Sequence, residues 1–161
     1  MINNMSLRIL ILLFLFSSGL IAQKKKEIKK YGIKNIVVTE THNGKTITNS
    51  KTSFDSNGEV VEEMDYDKEG VLKTTKKYKY NKDGDVVEES EYDEKGVLKE
   101  KRQYKYNGMG EKTEELSMDK DNKILKKAVY VYDSKGLKTE KKVYDGNNVL
   151  ISVKKYTYNT K

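Results

Sequence analysis

Eight times between Phe54 and Asn148 the chain repeats one five-residue pattern: an aromatic (once Met118), Asp or Asn, two further residues, then Gly or Asn. The first residues of these units are Phe54, Tyr66, Tyr80, Tyr92, Tyr106, Met118, Tyr132 and Tyr144, spaced alternately by 12 and 14 positions. The period is therefore 26 residues, and Tyr78, Tyr104, Tyr130 and Tyr156 recur at that interval. A fixed period of this length is the signature of stacked supersecondary units.

Each unit reads as a tight reversal. Asp or Asn at the second position hydrogen-bonds its own backbone two residues on. The fifth position follows a type I turn and needs a positive φ, which favours Gly first and Asn next. Gly58, Gly70, Gly84, Gly96, Gly110 and Gly136 satisfy this requirement, and Asn122 and Asn148 take the same place elsewhere. Asn43-Gly44 adds a further hairpin upstream. The intervening segments, of about eight and about ten residues, suit strands. Proline is absent throughout, so nothing in the composition interrupts a ladder.

The pattern predicts an all-β fold: an antiparallel meander of about nine or ten strands within residues 33–161, built from a 26-residue double hairpin. Continuing the ladder evenly from the turns sets Tyr66 against Leu72, Tyr80 against Val86, Tyr92 against Leu98 and Tyr144 against Leu150. The same register sets Glu62 against Lys76, Glu88 against Arg102 and Glu140 against Lys154, with Ala128 leaving a gap opposite Glu114. All these side chains would then share one face, with charges between two apolar rims. Opposite charges across a ladder select the register. Burying such a charged middle would cost several kcal/mol per ion, so an elongated, twisted single sheet is expected rather than a sandwich. The alternative is a closed or partly closed up-and-down barrel with a wet lumen.

The string Tyr-x-Tyr-Asn/Asp-x-x-Gly, carried by Tyr78 to Gly84, Tyr104 to Gly110 and Tyr130 to Gly136, and joined by Tyr92-Asp93-Glu94-Lys95-Gly96, resembles the YD-repeat (Rhs-type) family. The resemblance covers about residues 54–158. It implies an extracellular or cell-surface β-repeat structure, which in large members coils into a shell around a toxin and in smaller ones is often associated with carbohydrate binding. The array here is too short for a shell.

Residues 1–22 contain Arg8 followed by the apolar run "ILILLFLF" and end in small residues, which reads as a signal peptide. Residues 23–32, beginning "QKKKEIKKYG", read as a loose basic leader. The expected location is exported: periplasmic, cell-surface or extracellular. No cysteine occurs, so disulfides, thiolate metal sites and a lipidated cysteine anchor are excluded. Net charge is +7, with Lys/Arg and Asp/Glu closely interleaved, at 35% charged residues. Such a surface can meet polyanions, although the interleaving favours internal pairing.

Candidate chemistry is sparse. Glu62, Glu88, Glu114 and Glu140 recur every 26 residues, whereas an active site needs one asymmetric constellation. His42 is the only histidine. Asn81-x-Asp83-Gly84-Asp85 lacks the twelve-residue spacing and terminal Glu of a calcium loop. The expectation is a non-enzymatic structural or interaction module without a cofactor or metal. Its partner would be a protein or glycan of the envelope rather than nucleic acid, and its open sheet edges allow self-association. The candidate ligand-stacking residues are Tyr78, Tyr80, Tyr104, Tyr106, Tyr130 and Tyr132.

Overall fold

The computed structural model describes residues 18–159, with side chains from Lys24 onward. A helix, α1 (Ser18–Tyr31), precedes ten strands: β1 (Asn35–His42), β2 (Lys45–Phe54), β3 (Val60–Tyr66), β4 (Leu72–Tyr80) and β5 (Val86–Tyr92), then β6 (Leu98–Tyr106), β7 (Lys112–Met118), β8 (Ile124–Tyr132), β9 (Lys138–Asp145) and β10 (Leu150–Lys155). They form one sheet in sequence order, every neighbour antiparallel. This is the expected meander. β1 and β10 do not pair, so the barrel alternative is not realised. Ten strands span about 43 Å at the usual interstrand spacing.

The turns explain the order. The Oδ1 of Asp67 accepts from the amides of Glu69 and Val71 at 2.9 and 2.8 Å, while the Gly70 amide donates to the Asp67 carbonyl. The same double acceptance recurs at Asp55, Asn81, Asp93, Asn107, Asp119, Asp133 and Asp145. All eight reversal positions have positive φ, Asn122 and Asn148 at 61° and 62° among them. Asn81 bonds Asp85 as well as these amides, so its polar groups serve the turn.

Beyond each turn the register departs from the even ladder. Tyr66 does pair with Leu72, but Asp65 pairs with Thr74, leaving Lys73 as an unpaired extra residue. The same bulge sits three residues after every reversal position, at Val61, Val87, Lys99, Thr113, Leu125, Thr139 and Ile151. A bulge opposes two residues to one and reverses the in–out alternation beyond it.

Two expectations are corrected by this shift. The rungs are Glu62 with Lys77, Glu88 with Gln103 and Glu140 with Lys155, each one residue beyond the even register. Ala128 lies opposite Glu115, while Glu114 reaches Lys105 on β6 at 2.7 Å. The aromatic rims also lie on opposite faces. Tyr78 pairs with Glu89, and Tyr92 with Thr75, three residues away along each strand. Tyr78, Tyr80 and their repeats thus occupy one face, which we call the ladder face. Tyr66, Tyr92 and Tyr144 occupy the reverse face.

With one layer, burial is thin. Among described residues only Ile28, Met118, Ala128 and Tyr130 are buried apolar side chains, with Thr75 and Ser90 the buried polar ones. Ion pairs cover the strands instead: Lys77–Glu62 at 3.4 Å and Lys79–Glu88 at 2.7 Å on the reverse face.

Of residues 23–32, expected as a loose leader, 23–31 are helical. Gly32 at φ 62° ends α1, with the Ile33 amide donating to the Ile28 carbonyl and the Gly32 amide to Lys29, which is a Schellman closure. Ile28, 3% exposed, docks the helix, and Lys25 forms an ion pair with Glu59. The signal-peptide reading of residues 1–22 falls largely outside the described residues; residues 18–22 belong to α1. Among the described residues no helix is long and apolar enough to cross a membrane.

Candidate functional site: the tyrosine ladder

The six tyrosines singled out from the sequence come together as one row on the ladder face. Two registers hold them. The hydroxyls of Tyr78, Tyr104 and Tyr130 donate to Glu63, Glu89 and Glu115 at 2.7, 3.0 and 2.8 Å. Those of Tyr80, Tyr106 and Tyr132 donate to the carbonyls of Val60, Val86 and Lys112 at 2.7, 2.8 and 2.9 Å. Each acceptor lies on the strand before, and successive copies are two strands apart, roughly 9.6 Å.

Five of the six rings are half-buried, and Tyr130 is buried at 7% exposure. Burial, together with the neighbouring carboxylates, raises the hydroxyl pKa of Tyr78, Tyr104 and Tyr130 well above the usual value; Tyr80 is pushed up to about 12. The hydroxyls are therefore fixed neutral donors.

The residues between the rings change along the row. The partners facing the second tyrosine of each pair are Val86, Lys112 and Lys138 for Tyr80, Tyr106 and Tyr132. The partners facing the first are Glu89, Glu115 and Lys141 for Tyr78, Tyr104 and Tyr130. The row begins apolar and acidic and ends basic. At its start α1 lies across it, with Ile28, Phe54, Val60, Tyr80 and Val86 lining the groove beneath the helix.

At its end three ammonium groups gather on one ring. Lys112, Lys138 and Lys141 lie 5.4, 4.8 and 5.2 Å from the Tyr130 centroid, within cation–π range. Lys112 also bonds Glu115 at 3.0 Å. Burial works against the Glu115 carboxylate, but Lys112 and the Tyr130 hydroxyl outweigh it and hold its pKa below the ordinary value.

The sequence reading followed Glu62, Glu88, Glu114 and Glu140, which lie on the reverse face, and missed Glu63, Glu89 and Glu115. The signal was available: these three share the 26-residue period and lie fifteen residues before Tyr78, Tyr104 and Tyr130. The same count from Tyr156 arrives at Lys141, where the series changes sign.

No family model matches the chain, and no curated protein does. Solved structures with similar strand layouts include a protein of unknown function from Bacteroides fragilis, at 16% identity and TM-score 0.44, covering 79% of this chain and 95% of that one. TarM of S. aureus aligns at 12% identity and TM-score 0.33, over 78% of this chain and 22% of its own. A porin-like protein from Bacteroides uniformis aligns at 10% identity and TM-score 0.33, over 69% of this chain and 70% of that one. These likenesses carry nothing about what the present chain binds.

Proposed function

We propose that this chain is an exported, non-catalytic β-repeat module of a bacterial envelope or surface, of the YD-repeat (Rhs-type) kind, which works by presenting its ladder face to a partner. The observation that carries this reading is the tyrosine row itself. The same Tyr–Glu bond is made every second strand on a sheet face that, among the described residues, only α1 covers, which suits an extended partner. A reaction centre would require a single asymmetric group of side chains, and the row repeats one group instead.

Export is tested by fractionating cells that express the full chain and weighing the mature protein. The expected product starts near Gln23 or Lys24 and is found outside the cytoplasm. A cytoplasmic protein that keeps Met1 overturns that half of the reading.

A second reading, carbohydrate binding, is favoured by the alternation of tyrosine rings with carboxylates and ammonium groups along the row. Rings with adjacent hydrogen-bonding groups are what sugar rings and their hydroxyls require. A glycan array with the wild type, Tyr106→Ala and Tyr132→Ala separates the readings. Signal lost in both variants supports glycan binding; a wild type that binds no glycan leaves the protein-partner reading.

A further inference from the structure

Two rungs of the sheet set like charges opposite one another on the ladder face: Glu91 with Glu100, and Lys141 with Lys154. Like charges directly opposite destabilise a ladder. The acidic rung is neutralised from within. Lys99 reaches Glu91 at 3.2 Å, and Arg102 holds Glu100 through two bonds of 3.0 and 2.9 Å. The basic rung is not. Among the described residues the ion pairs on β9 end with Lys142–Glu140 on the reverse face, and neither Lys141 nor Lys154 takes part in one. The nearest acid of the row, Glu115, is already held by Lys112 and Tyr130.

Lys138 adds a further ammonium beside the same rung, between the rings of Tyr130 and Tyr156 at 4.8 and 5.8 Å. Among the described residues Lys138 and Lys141 meet the Tyr130 and Tyr156 rings, and Lys141 also favours the Glu115 carboxylate, which Lys112 already pairs. Glu at position 141 would continue the series of Glu63, Glu89 and Glu115 and give Tyr156 the carboxylate that its three counterparts have. The sequence instead keeps a lysine that opposes another lysine.

From this uncompensated rung we infer that Lys138, Lys141 and Lys154 form a binding site for anionic groups on an acidic polysaccharide, carboxylated or sulfated, lying along the basic end of the tyrosine row. The inference rests on the glycan reading above and adds the ligand's charge and its place. Tyr156 and Tyr158, 38% and 50% exposed, supply ring surface beside the ammonium groups. The anion would take the place that carboxylates fill elsewhere on the row.

The test compares binding of dextran sulfate, polygalacturonate, neutral dextran and inorganic polyphosphate to the whole chain, by calorimetry at several salt concentrations. The acidic glycans are expected to bind and neutral dextran is not. The double variant Lys138→Gln/Lys141→Gln should weaken binding by about tenfold or more and lower the salt slope by about two. A control, Lys82→Gln/Lys95→Gln, removes the same charge from two turns and should change affinity less than about twofold.

Lys141→Glu gives a second readout. It should abolish binding yet raise the melting temperature by about 1–4 °C, because it removes the repulsion and gives Tyr156 an acceptor. Equal losses in the two double variants would reduce the effect to net charge and overturn the site. Neutral dextran bound as well as its sulfated form, with both double variants unaffected, would overturn the site and leave glycan binding intact. Binding of polyphosphate but no glycan, or of no polymer at all, would overturn both.

Discussion

The two ends of the tyrosine row carry different side chains on the same backbone. At the β3–β5 end, Val60 and Val86 stand beside Tyr80, Glu63 accepts from Tyr78, and α1 closes the face through Ile28. At the β7–β10 end the corresponding positions are Lys112, Lys138 and Lys141, and no described element covers them. Backbone and turn chemistry are repeated almost without change, so the contrast lies wholly in side chains that the repeat leaves free. A repeat array can in this way cap one end and leave basic side chains uncovered at the other.

High pH acts on both ends alike and so tests what they share. Tyr78, Tyr80, Tyr104, Tyr106, Tyr130 and Tyr132 all have raised hydroxyl pKa values, burial being the first cause in each. In the unfolded chain they ionise near the ordinary value of 10.0. Their contribution to stability is thus complete below pH 10 and falls as pH rises through the higher folded values. The melting temperature should hold between about pH 7 and 9 and drop steeply above 10, with the absorbance of the six row tyrosines changing only as the chain unfolds. Tyrosinate absorbance amounting to all twelve tyrosines in the still-folded protein near pH 10 would show that the row is solvated.

A single turn then separates the ends. Gly58 and Gly96 have the same role, with φ of 80° and 76°. A Cβ at Gly58 would meet the Lys25 carbonyl at 2.9 Å and Ile28 at 3.5 Å, whereas at Gly96 it meets nothing within 4 Å. Gly96→Val should cost roughly 1–2 kcal/mol of backbone strain alone. Gly58→Val should cost the same strain plus the docking of α1, about 3 kcal/mol in all if Ile28 is fully exposed. Denaturant melts measure both, and hydrogen exchange should show α1 released only in the Gly58 variant. Equal costs would mean that α1 adds nothing to the cap.

These results bear on what a reader of the sequence can see. Strand number, sequence order and every reversal follow from Asp/Asn and Gly/Asn at fixed offsets, because turn chemistry is local. The pairs nearest the turns, Tyr66 with Leu72 and Tyr92 with Leu98, were legible for the same reason. The bulges were not. Val61, Lys73, Val87 and Lys99 share no residue type that demands an extra unpaired position, and one bulge is enough to exchange the faces beyond it. The six tyrosines were therefore found, while the charged residues assigned to their face were one position off: Glu62 and Glu88, where the structure puts Glu63 and Glu89. Helix α1 was missed for another reason. "KKKEIKKY" is too short and too charged to announce a helix, and its buried residue, Ile28, has meaning only against a surface built from β2 to β5.

Removing a single hydroxyl distinguishes the two ends most finely. Tyr78→Phe and Tyr130→Phe remove one hydroxyl at each end, and the carboxylates left behind differ. Glu63 accepts from Tyr78 and forms no ion pair among the described residues, so the loss leaves a half-buried acceptor with water alone. Glu115 keeps the Lys112 ammonium at 3.0 Å. The first change should therefore cost about 1–2 kcal/mol and the second about 0.5–1 kcal/mol, measured in urea melts at neutral pH. A larger cost at Tyr130 than at Tyr78 would show that the basic end relies on its tyrosine for structure, and would weaken the division between a closed end and a presenting one.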